Sequence, residues 1–197
     1  MKKRGIYILA GCIIFTFICA ISIVNIKYSK IMRATQLSSD EWYEAEGYAV
    51  KFNRYEVLDM EQLNDYVTDS EQLEEYKKTL QIDGKVVLVY ITLRITEREL
   101  MNKEWWTDFI LYADNAWDNQ IDSYLSAFIK DANPAKGNYE DGKEYDMIFP
   151  FNIAKVQIPE YEYDNADKWN YFMIWSQNPI VYTPVSYTHL RAHETLR

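Results

Sequence analysis

Hydrophobic positions follow three rhythms along this chain. The first is continuous: residues 6–26 read IYILAGCIIFTFICAISIVNI, with no Asp, Glu, Lys or Arg among them. At about 1.5 Å of helical rise per residue the run is roughly 30 Å long, the thickness of a bilayer's hydrocarbon core. It predicts a transmembrane helix. The second rhythm is alternation. In residues 47–58, Tyr48, Val50 and Phe52 share a face, and Tyr55 and Val57 continue one residue out of phase, as a bulge near Asn53 would cause. In residues 86–96, Val87, Val89, Ile91, Leu93 and Ile95 point one way. The other face starts apolar with Val86, Leu88 and Tyr90 and ends polar with Thr92, Arg94 and Thr96. This predicts a central strand, buried on one face throughout and on the other for half its length.

Further strands are expected over 105–113, with Trp105, Phe109 and Leu111 opposite Trp106, Ile110 and Tyr112. Others are expected over 143–151, extending around a bend past Pro150, over 169–175, and from 180 to 183. The third rhythm is helical. Met60, Leu63, Tyr66 or Val67, Leu73, Tyr76 and Leu80 predict one or two short helices over 59–80, with Thr68 to Glu71 as a capping box. Residues 114–129 fit two readings, a helix carrying Trp117, Ile121, Leu125 and Phe128 or a short strand plus loop. Residues 131–142 and 159–167 read as loops. The fold class is therefore mainly β: a transmembrane helix, then an antiparallel sandwich with one or two short helices inserted. The expected division is a cytoplasmic tail at 1–5, a signal anchor at 6–26, a juxtamembrane spacer at 27–45 and an extracytoplasmic domain at 46–184.

Two rival readings of the N-terminus meet the same difficulty. Ile18-Cys19-Ala20 suits a cleavage site, and Leu9-Ala10-Gly11-Cys12 matches a lipobox, but each would leave an apolar segment at the new terminus. An uncut anchor fits better. Lys2, Lys3 and Arg4 on one flank balance Lys27, Lys30 and Arg33 on the other, so the positive-inside count does not orient the span. The long C-terminal portion is expected outside the cytoplasm, since large domains translocate largely regardless of charge.

Charge then narrows the partners. Of 21 basic and 30 acidic residues, six basic and no acidic ones lie in residues 1–33, leaving a net formal charge of −15 beyond. Such a domain repels phosphate backbones, so no nucleic acid is expected. The partners expected are membrane lipid, through residues 6–26, and an extracytoplasmic protein or glycan. Both cysteines, Cys12 and Cys19, fall in the apolar run, so no disulfide is expected in the exterior domain.

The order of elements resembles a known family. An anchor, a long VVLVYITLRI strand, then DGKEYDMIFPFNI and a closing KWNYFMIWSQNP are similar to the membrane-anchored immunoglobulin-like (telokin-like) extracytoplasmic domains of Gram-positive bacteria. The resemblance covers roughly residues 46–184 and implies an immunoglobulin-like sandwich. It carries no chemistry to any residue. The Cys…Trp…Cys framework of true immunoglobulin domains is absent, and the helical stretch at 59–80 is an addition. The last residues, VSYTHLRAHETLR, resemble translated sequencing-adaptor read-through. On that reading residues 185–197 are not native, and His189 and His193 are set aside as ligands or bases.

Candidate chemistry rests on carboxylates and rings. Asp114, Asp118 and Asp122 recur every four residues and would line one helix face, where hard oxygens suit calcium. The spacing lacks the pattern of a calcium loop, so a solvated face is expected and no metal or other cofactor. Glu160, Glu162, Asp164 and Asp167 sit among Tyr161, Tyr163 and Trp169, the mixture from which sugar-binding surfaces and glycosidases are built. Trp106 and Tyr112 are candidates for an exposed aromatic patch. The function expected is a binding or interaction module without catalysis, with ligand contacts at Trp106, Tyr112, Tyr161, Tyr163 or Trp169. The alternatives are a carboxylate-dependent glycan hydrolase or glycan-binding domain, and an accessory subunit of a membrane complex.

Overall fold

The computed structural model describes residues 15–19, 21–22, 34–80, 84–132 and 137–185. Within the apolar run the described residues are helical and mostly exposed. Most of the predicted span lies outside the described residues, as does the 186–197 stretch. Among the described residues no helix is long and apolar enough to cross a membrane.

The chain beyond is mainly β. Its strands are β1 (Thr35–Gln36), β2 (Trp42–Ala45), β3 (Tyr48–Asp59), β4 (Gly84–Ile95), β5 (Ile110–Ala113), β6 (Asp118–Gln120), β7 (Glu144–Ala154), β8 (Tyr171–Gln177) and β9 (Ile180–Val185). They form a four-stranded sheet, in the order β2-β3-β4-β7, and a five-stranded sheet, in the order β1-β9-β8-β5-β6. The alternation seen in the sequence explains how the sheets meet. Val87, Val89, Ile91, Leu93 and Ile95 on β4 are fully buried and share one core with Leu111, Met173 and Trp175 of the other sheet. The bulge falls where the phase slips, between Phe52 and Arg54.

The four-stranded sheet carries a second, smaller core on its outer face. Val86 and Leu88 pack there with Leu63, Leu73, Tyr76, Leu125 and Phe128. These last come from a 3₁₀ turn at Gln62–Asp65, helix α1 (Ser70–Leu80), and the segment holding the four-residue helix α2 (Ser123–Ser126). The half-length apolar face of β4 is thus the floor of a helical roof. The cap of α1 lies one residue later than the sequence suggests: Asp69 Oδ1 accepts the backbone N–H groups of Glu71 (2.9 Å) and Gln72 (3.2 Å). Thr68 is taken up elsewhere, its hydroxyl donating to the Phe128 carbonyl at 2.9 Å. Replacing Asp69 with Ala is expected to lower stability by about 1 kcal/mol; an unchanged thermal melt would show that this cap is idle.

Three expectations need correction. The strand predicted over 105–113 begins only at Ile110, because 105–108 are turns. Local bonds win there: Asn102 Oδ1 accepts the Glu104 N–H at 3.1 Å, and the Thr107 hydroxyl donates to the Glu104 carbonyl at 2.8 Å. The spacer expected to 45 is structural from residue 34. Thr35 and Gln36 pair in parallel with Val181 and Tyr182, and β2 pairs with β3. Finally, β7 runs straight through Pro150 to Ala154. Proline is tolerated because β7 is an edge strand, where a missing N–H breaks no ladder bond.

That edge is largely closed. Asp122 N–H donates to the Pro150 carbonyl at 2.8 Å, Ile148 N–H to the Asp131 carbonyl at 3.0 Å, and Asn119 Nδ2 to the Asn152 carbonyl at 2.7 Å. A long strand able to template aggregation is thereby blunted.

Candidate binding surface

Among the described residues, none forms a second layer on the outer side of the five-stranded sheet. Inward-facing residues Tyr171, Met173, Trp175, Thr183 and Val185 are buried. Alternation therefore turns Phe172, Ile174, Tyr182 and Pro184 outward, and Ile110 and Tyr112 with them. None of these six belongs to either core cluster. Register places them in two rows. One row reads Gln120, Ile110, Ile174, Tyr182 and Gln36; the other reads Asp118, Tyr112, Phe172 and Pro184. The rings touch across the strands, Tyr112 to Phe172 at 6.3 Å and Phe172 to Tyr182 at 6.1 Å between centroids. Tyr182 donates its hydroxyl to Gln36 Oε1 at 3.0 Å, fixing the ring against the sheet edge. Each residue is half-buried by its neighbours, and Ile180 at the start of β9 is 42% exposed. The result is a continuous apolar face with amides at two borders and Asp118 as the one charge in its rows.

The residues singled out from the sequence do not gather in one place. Tyr112 lies in this face. Trp106 is half-buried in the turn before β5, edge-on to Trp105 at 5.9 Å, and is not on Tyr112's strand. Trp106 instead lines a cleft of about 740 Å³ with Met101, Trp105 and Tyr139. Tyr163 and Trp169 are buried at the far end of the sandwich. Lys85 and Lys155 each reach over the Tyr163 ring at 5.6 Å, and Trp169 packs on Trp117 and Tyr171, both at 5.9 Å. Of the three candidate rings in that segment, only Tyr161 is open, at 70% exposure. Its hydroxyl donates to Glu162 Oε1 at 2.9 Å, which favours the protonated phenol and raises its pKa.

The carboxylates are dispersed as well. Glu160 pairs with Lys155 at 3.4 Å, while Glu162 accepts from Asn115 Nδ2 at 3.1 Å. Asp114, Asp118 and Asp122 do not share a helix face. Asp114 sits in a turn, Asp118 starts β6, and Asp122 caps α2 by accepting from Tyr124 and Leu125 N–H. Asp122 also accepts the buried Tyr76 hydroxyl at 2.6 Å, and Asn152 Nδ2 donates to that hydroxyl at 2.9 Å. This chain of bonds ties helix, loop and β7 together, a structural task rather than a metal site. Among the described residues no group of three or more metal-ligating side chains gathers.

Sequence reading named Tyr112 but missed Phe172, Ile174 and Tyr182. The signal was present. In β8 the outward positions are as apolar as the inward ones, a pattern otherwise found where a second layer covers the strand. No protein-family profile, curated protein or solved structure matches this chain.

Proposed function

We propose that this chain is a single-pass membrane protein holding an immunoglobulin-like sandwich outside the cytoplasm, and that it binds a macromolecular partner without catalysis. The contact surface is the open face of the five-stranded sheet. The observation that carries the reading is the contrast between the two sheets. The apolar half of the four-stranded sheet's outer face is roofed by helices, whereas among the described residues nothing roofs Ile110, Tyr112, Phe172, Ile174 and Tyr182. A chain with 30 acidic residues does not lack polar side chains for such positions. Contiguous exposed apolar patches mark interaction sites.

Strand order supports the immunoglobulin-like reading. From β4 the chain crosses to β5 and β6, returns to β7 beside β4, then crosses again to β8 and β9. That path has the Greek-key character of immunoglobulin sandwiches. The uncharged run at 6–26 and the helical conformation of its described part support the anchor.

Two measurements test the proposal. A phosphatase reporter fused after residue 185 is expected to be active and a cytoplasmic-only reporter silent; the reverse pattern would put the domain inside. A photoreactive side chain at position 172 is expected to give a protein adduct in native membranes. The same group at Val156, which is 94% exposed at the far end, is expected to give none. Equal labelling at both positions would remove the face from consideration.

A further inference from the structure

We infer that the partner of the open face is a second copy of this chain, paired about a two-fold axis along the membrane normal. The inference rests on the anchored reading above and adds the identity of the partner.

The tether limits how the domain can stand. Seven residues, 27–33, separate the apolar run from Ala34, where the described domain begins. Fully extended they reach at most about 25 Å. Thr35 pairs in parallel with Val181, so the chain enters beside the hairpin between β8 and β9. That hairpin shares one end of the sandwich with the start of β3 and the end of β4. A chain of ring contacts links them, from Trp175 through Phe109 and Trp105 to Tyr48. The twelve residues of β4 make the domain about 40 Å tall. Inversion would lift residue 34 about 40 Å above the bilayer, beyond the tether's reach. Inversion is therefore excluded, and in any upright copy the hairpin end faces the membrane.

Two copies held the same way up are related by an axis along the membrane normal. When that axis runs parallel to the strands, the open faces meet with strands parallel, and sheet twist accommodates the roughly 30° offset of aligned sheet packing. Heights along the strands are then kept, while left and right exchange. Ile174 and Phe172 each meet their own counterparts in the copy. Ile110 falls opposite Tyr182, Tyr112 opposite Pro184, and Gln120 opposite Gln36. Apolar positions meet apolar ones, amide meets amide, and the two Asp118 carboxylates lie on opposite borders. The face is self-complementary, as an isologous contact requires.

Five strands about 4.8 Å apart and some 20 Å tall offer roughly 500 Å² per copy, below the ~800 Å² per partner of a standard interface. Sharing one membrane supplies the remainder by raising the effective concentration. A bilayer or an unrelated protein would use the same apolarity but has no need of this pairing of rows.

The test uses the full chain in native membranes, with Cys12 and Cys19 replaced by Ser and two differently tagged copies co-expressed. A short bis-maleimide on Ile174→Cys is expected to move most of the chain to twice its mass with both tags present, and Val156→Cys to leave it monomeric. Ile110→Cys in one copy with Tyr182→Cys in the other is expected to link as well. Membrane fractionation is read first, since recovery in the aqueous fraction would overturn the anchor itself. If the chain is anchored but position 172 crosslinks only to another protein, and position 174 gives no dimer, self-pairing is overturned while the binding face survives; adducts with lipid alone would overturn both. No adduct from either position would overturn both.

Discussion

Replacing Trp175 with Ala is expected to destabilise the domain by about 4 kcal/mol, within the range for truncating a buried indole. Trp175 is 2% exposed and meets Phe109, Tyr43 and Thr183. Phe109 packs edge-on at 5.2 Å, and Tyr43 of β2 stacks on it at 6.3 Å with only 9° between the planes. Its indole N–H donates to Thr183 Oγ1 at 2.8 Å. Truncation would empty the space between the sheets and leave a buried hydroxyl without its donor, two separate costs. Trp175→Phe keeps most of the packing and removes the hydrogen bond, so a loss of about 1–2 kcal/mol is expected. Urea denaturation measures both. A loss below about 1 kcal/mol for the alanine variant would mean that Tyr43 and Phe109 close the gap.

The second large effect is an alkaline collapse. Burial raises the pKa of Tyr48, Tyr76 and Tyr171 well above the ordinary phenol value, with the Asp122 hydrogen bond adding to the effect at Tyr76. Burial likewise pushes Tyr139 up to about 12, helped by neighbouring Tyr145. Below pH ~10 these phenols are protonated in both states and the stability they confer is complete. Above it the unfolded chain ionises while the folded one resists. Each such tyrosine then withdraws about 1.4 kcal/mol per pH unit until its folded pKa is passed. Four of them acting together exceed the margin of an ordinary domain within a narrow window. The expected result is cooperative unfolding between about pH 10 and 12. Tyrosinate absorbance should rise in step with the loss of far-ultraviolet dichroism. Smooth ionisation near pH 10 with the fold intact would show these rings to be wet.

Much of the fold was legible because alternation is a local signal. The double-sided burial of β4 could be read from Val86, Leu88 and Tyr90 alone, and the bulge from the phase slip after Phe52. Less was legible where a few polar side chains redirect the backbone. Asn102 and Thr107 hold 105–108 in turns despite two tryptophans, and Asp122 stops β6 and opens α2. The candidate surface was only partly visible for a different reason. A strand that is apolar on both faces says that both are covered, not by what. Tyr163 and Trp169 misled because acidic neighbours suggest exposure, whereas short helical turns fold those rings back under the sheet edge.

The two-residue strand β1 gives the domain a mechanical fuse. In the anchored arrangement proposed above, if residue 34 is drawn toward the membrane, the load falls first on the few bonds to β9, among them Leu37 N–H to the Tyr182 carbonyl at 2.8 Å. Peeling β1 away would release slack as far as β2, about eight residues and roughly another 25 Å of reach. With that slack the sandwich is free to capsize, and β9 acquires a bare rim. A pull on the leash would thus be converted into a change of posture, at a threshold set by a handful of hydrogen bonds.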